Sequence, residues 1–310
     1  KFKTIFTEFL LDLRAQKLRA FLTMFGLIWG TVAIVVLIAF GSFFLLRAPT
    51  PGTQSHRSYT VERVSDVANI ESGKEWMFTY RIKNERGEIL KDFAVVHEKI
   101  MHLIVVRKDL QDFQHLHPDF SPATREFSLA VVFPTDGPYR LFPDFTPARA
   151  ADNPQLLPVT VFADVMVGDQ SRYQPQPITA DTENRKRAGE YEVTYAFPAP
   201  LNAAVPLTYS LSVVQNGQPV TDLEPYLGAR GHSVILRADT LDFIHTHAEE
   251  DEKIGGPQLA FSTTFPKVGL YKIFTQFQHE GDVYTTDYTI STDAASGETR
   301  GAEHQQHERR

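Results

Sequence analysis

His102-Leu-Ile-Val-Val-Arg-Lys-Asp-Leu-Gln-Asp-Phe-Gln-His-Leu-His117 lines up without a gap on His232-Ser-Val-Ile-Leu-Arg-Ala-Asp-Thr-Leu-Asp-Phe-Ile-His-Thr-His247. Seven positions coincide: His102/His232, Arg107/Arg237, Asp109/Asp239, Asp112/Asp242, Phe113/Phe243, His115/His245 and His117/His247. Further along, Phe133-Pro-Thr-Asp-Gly-Pro-Tyr-Arg-Leu-Phe142 matches Phe265-Pro-Lys-Val-Gly-Leu-Tyr-Lys-Ile-Phe274, with two extra residues between the matched blocks in the later copy. Self-similarity of this kind marks a duplication. Around both copies the chain consists of short β-type runs broken by turn residues, such as residues 76–82, 127–133, 207–214 and 282–290, as all-β sandwiches show. The reading is all-β, with tandem immunoglobulin-like sandwiches at 59–168 and 169–292.

Each copy carries His-x12-His-x-His, and its middle reads as a hairpin with a turn through residues 109–112. Side chains at i and i+2 share a face of a strand, so His115 and His117 point the same way. A turn centred between Leu110 and Gln111 sets His117 opposite Ile104, with His102 its diagonal neighbour, so three imidazoles converge. The same count joins His232, His245 and His247. Three neutral imidazoles suit copper or zinc, and ligands of this type predict binding that weakens near the reference imidazole pKa of ~6.5. Further candidates are His97, Met101 and Asp144 in the first copy and His279 in the second. Met101, one residue from His102, points to the opposite face and reads as core. Asp144 reads as a turn residue, and Arg107/Arg237 with Asp109/Asp239 as a turn and ion-pair device.

Ahead of the repeats, no residue from Ala20 to Leu46 is charged, which exceeds the ~18–20 apolar residues that cross a ~30 Å hydrocarbon core. One transmembrane helix at 20–46 is expected. Lys1, Lys3, Arg14, Lys17 and Arg19 precede it, and the positive-inside bias keeps that end cytoplasmic and sends the remainder across. Residues 1–19 read as an amphipathic segment on lipid, 47–58 as a linker and 293–310 as a disordered tail, with its histidines solvated. Net charge is −7, with acidic and basic residues interspersed, which argues against nucleic acid as a partner. With no cysteine in the chain, a metal site must use His, carboxylate or Met.

The segment from Leu11 to Val35, with its Lys17-Leu-Arg19 leading into the apolar run, resembles the start of ABC transporter permeases of the MacB type over roughly the first 45 residues. That resemblance implies a transporter or efflux partner. The stretch ending in His115-Leu-His-Pro118 resembles bacterial secreted or membrane-tethered domains with H-x-H strands, some found beside heavy-metal proteins. The expectation is therefore a single-pass inner-membrane protein with extracytoplasmic metal-binding domains and no catalysis. The alternatives are an adhesion or assembly module with incidental histidines, and a cupin-like metalloenzyme using His245, His247 and Glu252. Against the cupin reading, the first copy has no Glu at the position matching Glu252, and Thr240 stands where a glycine is expected.

Overall fold

A computed structural model describes residues 25, 29–32, 59–148, 157–248 and 255–294, apart from the side chain of His247. The chain divides into two compact units, 1–57 and 58–310. Of the first unit, Phe25 and residues 29–32 are helical, and Phe25, Trp29 and Val32 are exposed. Among the described residues no helix is long and apolar enough to cross a membrane. The expected segments 1–19 and 47–58, most of 20–46 and nearly all of the tail lie outside the described residues.

The second unit is almost entirely β. Its first half contains β1 (Thr60–Arg63), β2 (Glu75–Lys83), β3 (Phe93–Ala94), β4 (His102–Arg107), β5 (Phe113–Leu116), β6 (Asp119–Ser121), β7 (Glu126–Val132), β8 (Gly137–Pro147), β9 (Val159–Thr160) and β10 (Ala163–Val167). A short 3-10 turn, Gln170–Arg172, follows. The second half contains β11 (Arg185–Ala188), β12 (Tyr191–Ala196), β13 (Pro206–Gln215), β14 (Gln218–Pro219), β15 (His232–Arg237), β16 (Phe243–His247), β17 (Gln258–Thr264), β18 (Gly269–His279) and β19 (Asp282–Thr292).

Each half is a sandwich. In the first, the sheet β1-β2-β7-β6 covers the sheet β10-β8-β4-β5. Phe78, Tyr80 and Ile82 of β2 alternate inward and meet Leu103, Val105 and Leu141 from the facing sheet. In the second, β11-β12-β13-β14, with β17 on β13, covers β16-β15-β18-β19. There Tyr209, Leu211 and Val213 of β13 meet Ile235, Ile273 and Phe277. This period-2 burial is what a strand with one solvated face shows.

β4 and β15 break the alternation, being buried along their lengths except at the terminal arginine. Their other faces form a third apolar cluster in which Ile104, Val106, Leu110 and Phe142 pack on Val234, Leu236, Leu241 and Phe274. The two histidine-bearing sheets thus lie back to back, and β4 and β15 are covered on both sides. The pairing is reciprocal. Phe113 of the first repeat stacks on Phe274 of the second at 4.4 Å, and Phe142 meets Phe243 at 5.2 Å. Because Phe113 corresponds to Phe243 and Phe142 to Phe274, these are one contact made twice about a pseudo-twofold axis, as in an isologous dimer interface. Phe274→Ala removes one buried ring from this seam and is expected to cost about 3–5 kcal/mol. Denaturant unfolding should show a lowered midpoint, and an unchanged midpoint would mean that the seam contributes nothing.

Candidate metal centre

Three short devices aim the histidines. First, the β4–β5 hairpin closes on Arg107 and Asp112, with Leu110 at φ 56 and Arg107 gripping Asp109 at 2.7 Å. Its register sets Ile104 opposite His115, two residues from the expected pairing, so the next pair outward brings His117 opposite His102. In the second repeat His232 pairs directly with His247. A two-residue slip keeps every side chain on its face while moving its partner. The sequence reading placed the turn too near Gln111 because it ignored the left-handed residue that closes the hairpin.

Second, a two-residue turn runs from Val96 to Lys99, with φ of 49 at His97 and 64 at Glu98. Its counterpart, Tyr226 to Ala229, has φ of 52 at Leu227 and 71 at Gly228. Positive φ at both central residues is the type I′ geometry that glycine fills without strain, and two consecutive non-glycine residues there cost energy. The result is a carbonyl aimed at each leading histidine: Val96 O accepts from His102 Nε2 at 3.1 Å and Tyr226 O from His232 Nε2 at 2.8 Å.

Third, the facing sheets exchange hydrogen bonds across the pseudo-axis. His115 Nδ1 lies 2.8 Å from Gln276 Oε1, and His245 Nδ1 lies 2.7 Å from Asp144 Oδ2. The Gln276 amide nitrogen donates to Thr285 Oγ1 at 3.1 Å, which turns its oxygen toward His115. Asp144 also accepts from Thr160 Oγ1 at 2.7 Å.

These partners dictate the tautomers, since carbonyl and carboxylate oxygens only accept. His102 and His232 carry hydrogen on Nε2, and His115 and His245 on Nδ1. The opposite nitrogens then bear lone pairs in the neutral rings. His102 Nδ1 and His115 Nε2 consequently face each other at 3.0 Å, lone pair to lone pair. His117 Nε2 is buried with no hydrogen-bond partner among the described residues. One nitrogen from each of His102, His115 and His117 lies within 4.8 Å of the other two.

Two lone pairs at that distance repel, and a proton or a metal cation between them would relieve the repulsion. Burial works against the proton. It lowers the pKa of His102 and drives that of His115 well below the usual value, with the His117 ring adding to the depression of His115. Burial, helped by His102 and Lys99, takes His117 down to about 4. Burial, reinforced by His245, takes His232 down to about 3. The three nitrogens of His102, His115 and His117 form a group that could hold a metal ion. Nitrogens ~2.0–2.1 Å from one tetrahedral ion sit about 3.3 Å apart, against 3.0 Å between His102 Nδ1 and His115 Nε2.

Of the further candidates, His97 lies 5.3 Å from the His232 ring and 6.5 Å from His102, at the rim of the cluster. Asp144 belongs to β8, not to a turn, and acts by orienting His245. Met101 is buried in the first sandwich core, away from the histidine face. His279 bonds Tyr191 Oη at 2.7 Å and Asp222 Oδ1 at 3.1 Å, within the second repeat. The His247 side chain, Glu252 and the tail histidines lie outside the described residues. Sequence reasoning placed one site in each repeat, but the structure brings the two repeats' histidines together, with the His102 and His245 rings 6.0 Å apart. It also missed Gln276 as an orienting group. The available signal was the unbroken apolar run of β4 and β15, which demands cover on both faces.

A family model described as a domain of unknown function, DUF8832, matches residues 54–175 and 186–294, one segment for each sandwich. No curated protein matches the sequence. Among solved structures, alpha-2-macroglobulin from Escherichia coli is similar at 11% identity and TM-score 0.23, over 77% of this chain and 20% of that one. The E. coli adhesin FdeC is similar at 11% identity and TM-score 0.23, over 76% of this chain and 64% of that one. The titin tandem A164-A165 is similar at 10% identity and TM-score 0.18, over 77% and 98%. The chain spans about a fifth of the matched macroglobulin and under two thirds of the adhesin.

Proposed function

The chain belongs to the DUF8832 family, whose name assigns no activity, and from its own residues we propose that it is an extracytoplasmic metal-binding protein that buffers or delivers copper or zinc. The observation that carries this reading is the pair of facing lone pairs on His102 Nδ1 and His115 Nε2, 3.0 Å apart. His117 supplies a third nitrogen, and the outer nitrogens of His102 and His115 are already committed to Val96 O and Gln276. Outer partners that hold a ring's tautomer and orientation are the habitual second half of a histidine metal site. Because the rings are neutral before binding, the ion displaces no proton and the ligands need little rearrangement.

In the same reading, residues 20–46 anchor the chain in an inner membrane, the sandwiches are immunoglobulin-like domains on the far side, and an efflux or transport complex receives the ion. No nucleophile or general base is assigned, and the protein acts by holding metal rather than by catalysis.

The test is titration of the full chain in detergent with copper(II), zinc(II) and, as a control, magnesium(II). Saturable binding of the first two but not of magnesium is expected, because nitrogen donors favour late transition metals over hard cations. A protein that binds none of them would leave the histidines as packing groups and favour the assembly module.

A further inference from the structure

Three imidazoles account for one ion, yet the seam holds more donors than one ion takes. His232 and His245 present lone pairs of their own, on Nδ1 and Nε2, because Tyr226 O and Asp144 hold their other nitrogens. Both rings face the first trio across the pseudo-axis. Within the trio, ring centroids lie 4.8 to 5.2 Å apart. Across the axis the separations rise to between 6.0 and 6.5 Å for His102–His245, His115–His232, His102–His232 and His115–His245. The His232 and His245 rings are themselves 6.0 Å apart, and a tetrahedral zinc or tetragonal copper(II) ion takes four ligands at short distance, so five converging imidazoles exceed a single site. His247 pairs with His232 in the second repeat, while in the first the His117 ring lies 5.1 Å from that of His102.

We infer that the two repeats jointly build a dinuclear copper centre, with one ion held by His102, His115 and His117 and the second by His232 and His245 across the pseudo-twofold axis. The inference rests on the metal-binding reading above and goes beyond it in stoichiometry, geometry and metal. Copper follows from the donor set: every donor is an imidazole, no carboxylate enters the inner sphere, and nitrogen sites of this kind bind copper(II) more tightly than its first-row neighbours.

The duplication has also made the halves unequal. Asp144 backs His245 with a charge, whereas its counterpart Gln276 backs His115 with a neutral amide. A carboxylate partner fixes the orientation of the imidazole it holds and makes it a stronger metal ligand.

The experiment is copper(II) titration of the full chain in detergent, read by equilibrium dialysis and electron paramagnetic resonance. Two equivalents per chain are expected. The first should give an isolated copper spectrum, and the second should cut the signal below that of two free spins and bring in a half-field transition. His245→Gln, checked for folding by circular dichroism, should bind one equivalent and give the isolated spectrum alone. Saturation at one equivalent in the wild-type protein overturns the dinuclear centre, as do two equivalents whose signal adds linearly; both leave metal binding standing. Absence of binding overturns both. The wild-type stoichiometry and spin coupling decide the matter even if the variant unfolds.

Discussion

His115→Ala is expected to weaken copper and zinc binding by at least about 100-fold while leaving the protein folded. Loss of an outer partner alone typically costs 10–100-fold in metal affinity, so removal of the ligand itself sets that range as its floor. His115 is the ring on which the geometry turns. Its Nε2 meets His102 Nδ1, its centroid lies 4.8 Å from His117, and its Nδ1 reaches across the seam to Gln276. The stability change should be small because two effects oppose. Truncation strands the Gln276 oxygen, at roughly 1–3 kcal/mol, but relieves the lone-pair repulsion with His102. Competition titration against a chromophoric chelator measures the first effect and thermal unfolding of the metal-free protein the second. Unchanged affinity in a folded variant would sink the assignment of His115 as a ligand. Gln276→Ala provides the graded control: the ring stays but loses its tether, so a loss within the 10–100-fold range is expected.

How far the sequence carries this site can be judged residue by residue. The strands were legible wherever one face is wet, because the alternation of Phe78, Tyr80 and Ile82, or of Tyr209, Leu211 and Val213, is a local signal. The trio His102, His115 and His117 was legible too, since i, i+2 spacing and a hairpin fix which face they share. What could not be read locally was the partner of that face. Asp144 and Gln276 are 101 and 161 residues from the histidines they hold, and no periodicity links them. The docking of one repeat on the other left only an indirect trace, the uninterrupted apolar runs 103–106 and 234–236. A strand reading that stops at secondary structure takes those runs for ordinary core.

The acid response of the metal-free protein follows from the same burial. His117, at about 4, and His232, at about 3, are held below the ~6.5 of an exposed imidazole, and His102 and His115 are shifted in the same direction. Folded, these rings stay neutral as the pH falls below ~6.5, whereas in the unfolded chain they take up protons. The unfolded state therefore binds more protons in that window, and stability declines as the pH falls toward the folded values. At pH 5 the fully buried His232 contributes a loss of roughly 2 kcal/mol, and the half-buried His117 less because solvent screens it. His102 and His115, shifted the same way by burial, add to the loss. The metal-free chain should thus lose thermal stability steeply between pH 6.5 and 4, while variants with His102, His115, His117 and His232 changed to uncharged residues should lose it far less. Metal affinity of the folded protein, by contrast, should fall less with acid than that of exposed imidazoles, because burial lowers the pKa of His102 and His115 and holds His117 near 4, so protons compete poorly for the trio. Weakening of binding centred at pH 6.5 in a protein that circular dichroism shows still folded would mean that the ligating rings are exposed ones, outside this seam.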